Sequence, residues 1–330
     1  MSSDKKKYTV GFDLGGTKML AAVFDQDFKI VATRKKKTKA YEGLEGSLAR
    51  IVTVIQEALD KAGAAKPQLL GIGIGSPGPL DLNEGIILQA PNLAWENVPL
   101  KKTIEKAFGC PTVVANDVDT GTFGEYQFGA AAGARCVLGV FPGTGIGGGC
   151  VYEGRVIRGK VNSCLEIGHT IVQPRGPQCG CGQRGCVEAL ASRLAVAAQA
   201  ATAAHRGLAP KLLEKAGTDM SNMRSSIIAD CIAEGDVVIE NIVKQAARWL
   251  GLGIANVVNL LAPDVVVLGG GLVESMSEIY LKEVQKAVNK QALKTFTKSI
   301  RIEIAKLGDN AVIMGAAALA AEEAGAKRKD

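Results

Sequence analysis

Residues Val10–Asp25 read VGFDLGGTKMLAAVFD, and residues Leu138–Gly154 read LGVFPGTGIGGGCVYEG. Both follow one design: an apolar strand, a turn rich in glycine and threonine, and an apolar strand returning. Short apolar runs bounded by glycine read as buried strands, and two of them across a tight turn read as a hairpin. A chain that repeats this opening predicts two homologous lobes with a cleft between them. Glycine turns leave backbone N–H groups uncovered, and successive N–H groups can converge on a phosphate. Two such turns facing a cleft would hold the phosphates of one nucleotide.

The second turn, GTGIGG at Gly143–Gly148, also matches the dinucleotide pattern GxGxxG. That fingerprint needs a helix next, with its N-terminus on the pyrophosphate. Here CVYEGRVI follows, with β-branched residues and no helical stripe, so a Rossmann site is rejected. No GxxxxGK[ST] occurs, which rejects a P-loop.

Around these hairpins the chain alternates strands and helices. KIVATRKKKT reads as a third antiparallel strand, and LEGSLARIVTVIQEALDKAG as a helix stopped by glycine. LLGIGIGS and PTVVAND read as strands, the latter leading into the helix VDTGTFGEYQFG. CVEALASRLAVAAQAATAA, DVVIENIVKQAARWLGLGIANVVNLL and LVESMSEIYLKEVQKAV read as long helices. PDVVVLGGGL is a short buried strand ending in Gly269, Gly270 and Gly271, where a flat ring could lie against backbone or where the chain simply turns tightly. SIRIEIAKL is a last strand. AVIMGAAALAAEEAG is a last helix whose small residues predict close packing.

Composition narrows the class. At 330 residues the chain suggests about two domains of ~150 residues. Apolar residues make up 47%, enough for a sizeable core, and the 40 glycines suit an α/β enzyme with many turns. A net charge of +6 is too small to imply nucleic acid, and the runs Lys5–Lys7 and Arg34–Lys37 lack the interleaved aromatics of a single-strand binder. Neither a signal peptide nor an apolar run of ~18 residues is present, so a soluble, cytoplasmic protein is expected.

Eight cysteines in a chain of this length do not form a disulfide scaffold. Five are scattered and read as small core residues. The other three fall in CGCGQRGC, Cys179–Cys186, shortly after EIGHT, which contains His169, one of two histidines. His169, Cys179, Cys181 and Cys186 supply one imidazole and three thiolates, a common set for structural zinc. Gly180, Gly182 and Gly185 permit the bending that a C-x-C pair requires.

CGCGQRGCVE resembles the CxCGxxGCxE signature of the ROK family of sugar kinases and repressors. DLGGTK (Asp13–Lys18) and GTGIGGG resemble its two phosphate motifs. GSPGPLD (Gly75–Asp81), APNLAWENVPL (Ala90–Leu100) and ANDVDTGTFGE (Ala115–Glu125) resemble its sugar-site segments, and PDVVVLGGGL its adenosine segment. The resemblance covers nearly the whole chain. It implies an α/β, actin-like ATPase (ribonuclease H-like) fold. The expected N-terminal lobe is 1–117 plus about 310–330, and the C-terminal lobe is 118–309.

It also implies roles. Asn92, Asn116, Asp117, Glu166, His169 and Glu188 would line the sugar; a site built to pair with hydroxyls penalises analogues that lack them. Asp13, Gly15, Gly16, Thr17 and Lys18, with Gly143, Thr144 and Gly145, would meet ATP phosphates and Mg²⁺, and Gly269–Gly271 would border the adenine. His169, with one ring nitrogen on structural Zn²⁺, would aim the other at a sugar hydroxyl. Read from its residues alone, Asp117 after a strand is as well a helix N-cap as a base; the resemblance makes it the general base.

The resemblance favours a glucokinase, because NLAWENVPL and the full CxCGxxGC take the glucokinase form. Fructokinase, N-acetylmannosamine kinase and N-acetylglucosamine kinase are the alternatives, with ATP or polyphosphate as donor. A ROK repressor would carry a helix-turn-helix first, and the first strand near Tyr8 leaves no room for one. Hexose and ATP are the expected partners, with no nucleic acid and no membrane, in a homodimer.

Overall fold

The computed structural model describes residues 7–90, 93–160 and 164–326. They form two compact units. The first takes the described residues of 1–133, 154–164 and 309–330; the second takes those of 134–153 and 165–308.

The first unit is built on β1 (Tyr8–Leu14), β2 (Lys18–Phe24), β3 (Ile30–Lys37) and β4 (Leu69–Ser76). A small antiparallel sheet follows: β5 (Leu80–Asp81), β6 (Ile86–Ala90) and β7 (Trp95–Val98). Then comes β8 (Thr112–Asn116), completing a sheet of order β3-β2-β1-β4-β8. The first three strands are antiparallel, and β4 and β8 run parallel to β1. β1 is buried along almost its whole length, so both faces of the sheet must be covered.

The helix Gly43–Ala62 covers one face through Ile51, Val54, Ile55, Ala58 and Leu59. It ends at Gly63 in the left-handed conformation (φ 64°), as the glycine stop predicts. The C-terminal helix Ala311–Ala326 reaches the sheet at backbone distance. A Cβ on Gly11 would stand 1.8 Å from the Ile313 carbonyl oxygen, and one on Gly73 1.8 Å from that of Ala316. The same helix meets Asp117–Phe128 where Gly315 approaches the Thr120 carbonyl. The small residues of AVIMGAAALAAEEAG exist for these approaches.

The first boundary differs from the expected one at 117. Asp117–Phe128 packs on the C-terminal helix, so it stays with the first unit, and the division falls after Gly133.

The second unit repeats the strand plan. β9 (Cys136–Pro142) and β10 (Ile146–Tyr152) form the hairpin, and a two-residue strand, β11 (Arg155–Val156), follows in the chain. β12 (Val265–Leu268) and β13 (Arg301–Ile304) complete the order β10-β9-β12-β13, with β12 parallel to both neighbours. The helix Val237–Leu261 buries Val243, Leu250, Ile254 and Val258 on one stripe, in one core with Tyr280 and Val284 of the helix Ser277–Gln291.

Two expected helices are interrupted. CVEALASRLAVAAQAATAA divides into Val187–Ala191 and Arg193–His205, because Ser192 leaves helical geometry and its Oγ accepts from Ala195 N at 3.2 Å. Serine favours that capping role over a helix interior. LVESMSEIYLKEVQKAV divides at Met276 into Gly271–Ser275 and Ser277–Gln291. No described helix is long and apolar enough to cross a membrane.

Candidate active site and metal centre

In the first unit, β1 ends at Asp13 and Leu14 and the chain turns through Gly15, Gly16 and Thr17. Gly15 N donates to Lys18 O at 3.0 Å, and a Cβ on Gly15 would lie 2.7 Å from that oxygen. The tight turn therefore uses the Gly15 amide, and Gly16 and Thr17 stand outside the strand ladder, which ends at Leu14 and Met19. Lys18 extends to Asp309, with Nζ at 3.0 and 3.1 Å from the two carboxylate oxygens, and Lys35 Nζ reaches the same group at 3.3 Å. The expected phosphate lysine is thus held by a carboxylate at the start of the C-terminal helix.

Asp13 pairs in register with Gly75 of β4, and Gly75 with Ala115 of β8. Asp13 and Asn116 therefore reach the same end of the parallel strands, where open α/β sheets place their ligands. Gly75 is needed between them: a Cβ there would sit 2.4 Å from Val312 Cγ1 and 2.7 Å from Thr120 Oγ1.

Asn116 decides the two readings of ND. Its Oδ1 accepts from Val118 N at 2.8 Å and Asp119 N at 3.2 Å, so Asn116 is the N-cap and Asp117 is the first helical residue. Asp117 Oδ1 also accepts from Val118 N, at 2.9 Å. With its oxygen committed, Asn116 offers a ligand only its amide N–H₂ donors. Burial pushes the Asp13 carboxyl up to about 7; the Asp117 charge adds to that, Lys18 opposes it, Asp309 adds again and Lys35 opposes. A carboxylate in that setting gains from a divalent cation, which removes the repulsion.

The second unit holds the other expected residues. Gly143 N donates to Gly145 O at 2.8 Å, closing the second turn. Arg193 grips it from outside: its N donates to Gly143 O at 2.9 Å and its Nη2 to Thr144 Oγ1 at 2.9 Å. Glu188 grips it from the other end, with Oε2 accepting from Ile146 N at 2.9 Å. A Cβ on Gly145 would meet Oε2 at 2.4 Å. Gly269–Gly271 lie at the end of β9: a Cβ on Gly269 would reach the Phe141 ring at 2.6 Å, and one on Gly270 the Pro142 carbonyl at 2.8 Å. The second turn and the three glycines are thus neighbours. Gly270 (φ 83°) precedes the short helix Gly271–Ser275, so the three glycines also make the strand–helix turn.

The ligand atoms of His169, Cys179, Cys181 and Cys186 all lie within 4.8 Å of one another. Cys181 Sγ is 3.8 Å from Cys186 Sγ, and Cys179 Sγ is 3.6 Å from His169 Nδ1. A tetrahedral zinc with ~2.3 Å bonds to sulfur separates its ligands by about 3.8 Å, so these spacings fit that ion. Local backbone explains the cluster. Cys179 N donates to Gln183 O and Gly182 N to Cys179 O, and Gly182 (φ 90°) and Gly185 (φ 77°) need left-handed geometry. With Nδ1 turned to the sulfurs, His169 keeps Nε2 for another partner. Glu188 Oε1 lies 3.7 Å from Cys179 Sγ, so one carboxylate touches both the cluster and the second turn.

Asp13, Asn116 and Asp117 thus belong to the first unit, and Glu166, His169 and Glu188 to the second. Asn92 lies outside the described residues. Asp309 and Arg193, which meet the two turns, carry no motif in the sequence. Asp309 sits in an ordinary helix-start sequence, LGDNAVIMG, and nothing around Arg193 in sequence marks it.

The chain matches the ROK family over residues 9–323. The protein belongs to the ROK family. It is 32% identical to the glucokinase of Streptomyces coelicolor over 95% of this chain and 98% of that one. It is 28% identical to the xylose repressor of Caldicellulosiruptor bescii, over 94% of this chain and 77% of the repressor. Among solved structures, the ROK glucokinase of Streptomyces griseus in complex with glucose and AMPPNP superposes with a TM-score of 0.82 at 32% identity, over 96% of this chain and 99% of that one. The fold of this ROK protein is the actin-like ATPase fold.

Proposed function

We propose that the protein is an ATP-dependent sugar kinase that converts glucose and ATP to glucose 6-phosphate and ADP. Full-length similarity to glucokinases supports the reaction class. The observation that supports the mechanism is the division of labour in Asn116-Asp117: Asn116 is the helix N-cap, and Asp117 stands in the first helical turn with one carboxylate oxygen on Val118 N at 2.9 Å. Asp117 takes the proton from the attacking hydroxyl; that oxygen bonds the terminal phosphorus as the bond to the ADP oxygen breaks. Asn92, Asn116, Glu166, His169 and Glu188 hold the sugar hydroxyls, Asn116 as a donor and Glu188 through the oxygen turned away from Ile146. Thr17, Lys18 and the amides of Gly16, Thr144 and Gly145 bind phosphate, with Gly143 closing the second turn, and Gly269–Gly271 border the adenine.

Asp13 would hold Mg²⁺, which neutralises phosphate charge when it accompanies ATP. His169, Cys179, Cys181 and Cys186 would hold a structural Zn²⁺, which fixes the direction of the remaining imidazole nitrogen. Free thiols in this number suit the cytoplasm, and a homodimer follows the family's habit.

The repressor relative favours a second reading, sugar-responsive DNA binding. A coupled assay of hexoses with ATP or polyphosphate, beside gel shifts on DNA, separates the two. ATP-dependent turnover highest on glucose is expected. Absence of transfer to every hexose, together with sugar-dependent gel shifts, rejects the kinase.

A further inference from the structure

The two glycine turns each carry one cation, and the two cations are in different states. Lys18 at the first turn is already neutralised by Asp309. Arg193 at the second turn meets only a neutral hydroxyl and its own backbone contact to Gly143: among the described residues no carboxylate lies within ion-pair distance of its guanidinium. Glu188, an acid tied to that turn, accepts from Ile146 N with one oxygen and lies 3.7 Å from Cys179 Sγ with the other.

We propose that Arg193 is a phosphate-binding residue of the second turn, its guanidinium lying across Thr144 to meet the phosphate chain of the nucleotide. The inference rests on the kinase reading above. A guanidinium presents five N–H donors in a planar fork that matches phosphate oxygens. One donor is committed to Thr144, which leaves the others beside the same turn. The contact also orders the hydroxyl. Thr144 Oγ1 accepts from Arg193, so its own proton points away from the guanidinium and is free to donate to a phosphate oxygen. Arg193 and Thr144 would then act on one ligand as a pair. Its backbone N–H fixes the Gly143 carbonyl, so the position of the side chain is set by the turn it serves.

The alternative is that Arg193 merely stiffens the turn through Thr144. The two ideas separate by ligand. ATP, inorganic tripolyphosphate and adenosine would be titrated calorimetrically into full-length wild-type protein, Arg193→Gln, Arg193→Lys, Thr144→Ala and the Thr144→Ala/Arg193→Gln double variant, with turnover on hexoses measured in parallel. Losing a charge-assisted hydrogen bond should weaken ATP and tripolyphosphate roughly 10- to 100-fold in Arg193→Gln, with adenosine changed less than about twofold. Arg193→Lys should recover part of the loss, and Arg193→Gln should still cost affinity when Thr144 is already Ala. Wild-type ATP affinity in Arg193→Gln, equal weakening of ATP and adenosine, or no added loss in the double variant would overturn the proposal. If Arg193→Gln does not fold, Arg193→Lys decides: a selective loss of phosphate affinity supports the contact, and unchanged affinity ends it. Wild-type protein that binds ATP but phosphorylates no hexose would sink the kinase reading, while the affinity comparison would still judge Arg193.

Discussion

At the first glycine turn Lys18 is bound to Asp309, the Gly15 amide is used inside the hairpin, and a partly buried Asp13 is separated by β4 from the strand that leads into Asp117. At the second, no acid neutralises Arg193 among the described residues, and the Glu188 carboxylate is tied to a backbone amide of the turn. One backbone plan has been filled twice with opposite charge. On the proposed reading both turns meet phosphate, the first beside carboxylates that would take a metal cation and a proton, the second beside an arginine that would add positive charge. Duplication supplies the frame, and side chains arriving from distant helices, Asp309 in one unit and Arg193 in the other, decide what each copy does.

The largest effect should come from Asp117→Asn, which tests whether the acidic half of this contrast does chemistry. We expect kcat to fall by at least ~10²-fold, the low end for losing a general base. Glucose affinity and melting temperature should stay close to wild type, because Asn116 caps the helix. Near-wild-type turnover in the coupled assay would return Asp117 to a passive place in the first helical turn.

Next is the candidate metal centre beside Glu188. About one zinc per chain is expected by elemental analysis, and Cys181→Ala should lose it and melt at markedly lower temperature, since structural zinc binding is part of the folding free energy. Metal-replete protein containing no zinc would remove that support from the second turn.

Asp13 gives a pH test of the acidic turn. In the folded protein it keeps its proton up to about 7, whereas in the unfolded chain it releases it near 3.9. Unfolding between those values releases a proton, so the stability Asp13 contributes is full below about 4 and is lost as pH rises through 7. Asp13→Asn should therefore stabilise the nucleotide-free protein at pH 8 by on the order of 2–4 kcal/mol, with the gain fading towards pH 4. Denaturant melts at the two pH values measure it, and a gain independent of pH would deny the shift.

The smallest effect belongs to Asp309→Asn. Its ion pairs with Lys18 and Lys35 are more than a third exposed, so stability should change by less than about 1 kcal/mol. Freed from Asp309, Lys18 should make the first turn more like the second and tighten tripolyphosphate binding a few-fold at low salt. Unchanged or weaker binding would mean that Asp309 orients Lys18 and does not compete for it.

The repeated hairpins were legible because each is local: apolar strands flanking a glycine turn need no distant partner to be recognised. His169 and the three cysteines were legible for the same reason, as rare residues among bend-permitting glycines, and the structure gathers their ligand atoms within 4.8 Å. Arg193 and Asp309 were not, since each meets its turn only after tens or hundreds of residues have folded back. The choice between Asn116 and Asp117 as cap was also closed to sequence, because both residues cap well and only the geometry of the strand end selects one. Ser192 did carry a signal, a capping residue inside an apolar stripe, and the periodicity overrode it.

The Gly11 and Gly73 contacts with Ile313 and Ala316 bear on how the chain is made. The sheet of the first unit is closed on one face by a helix that follows the whole second unit in the chain. At roughly 5–20 residues per second, the ribosome holds that sheet open on one face while the entire second unit emerges. During that interval Val10, Phe12 and Ile72 are covered by the Gly43–Ala62 helix, while Leu20, Ala22 and Phe24, which pack with Ile313 and Ala317, lack their cover. The second unit, continuous apart from one short excursion, can finish before the first. The first unit should therefore complete its fold only once the Ala311–Ala326 helix has emerged, and a nascent chain stalled before Ala311 should be the form that chaperones hold.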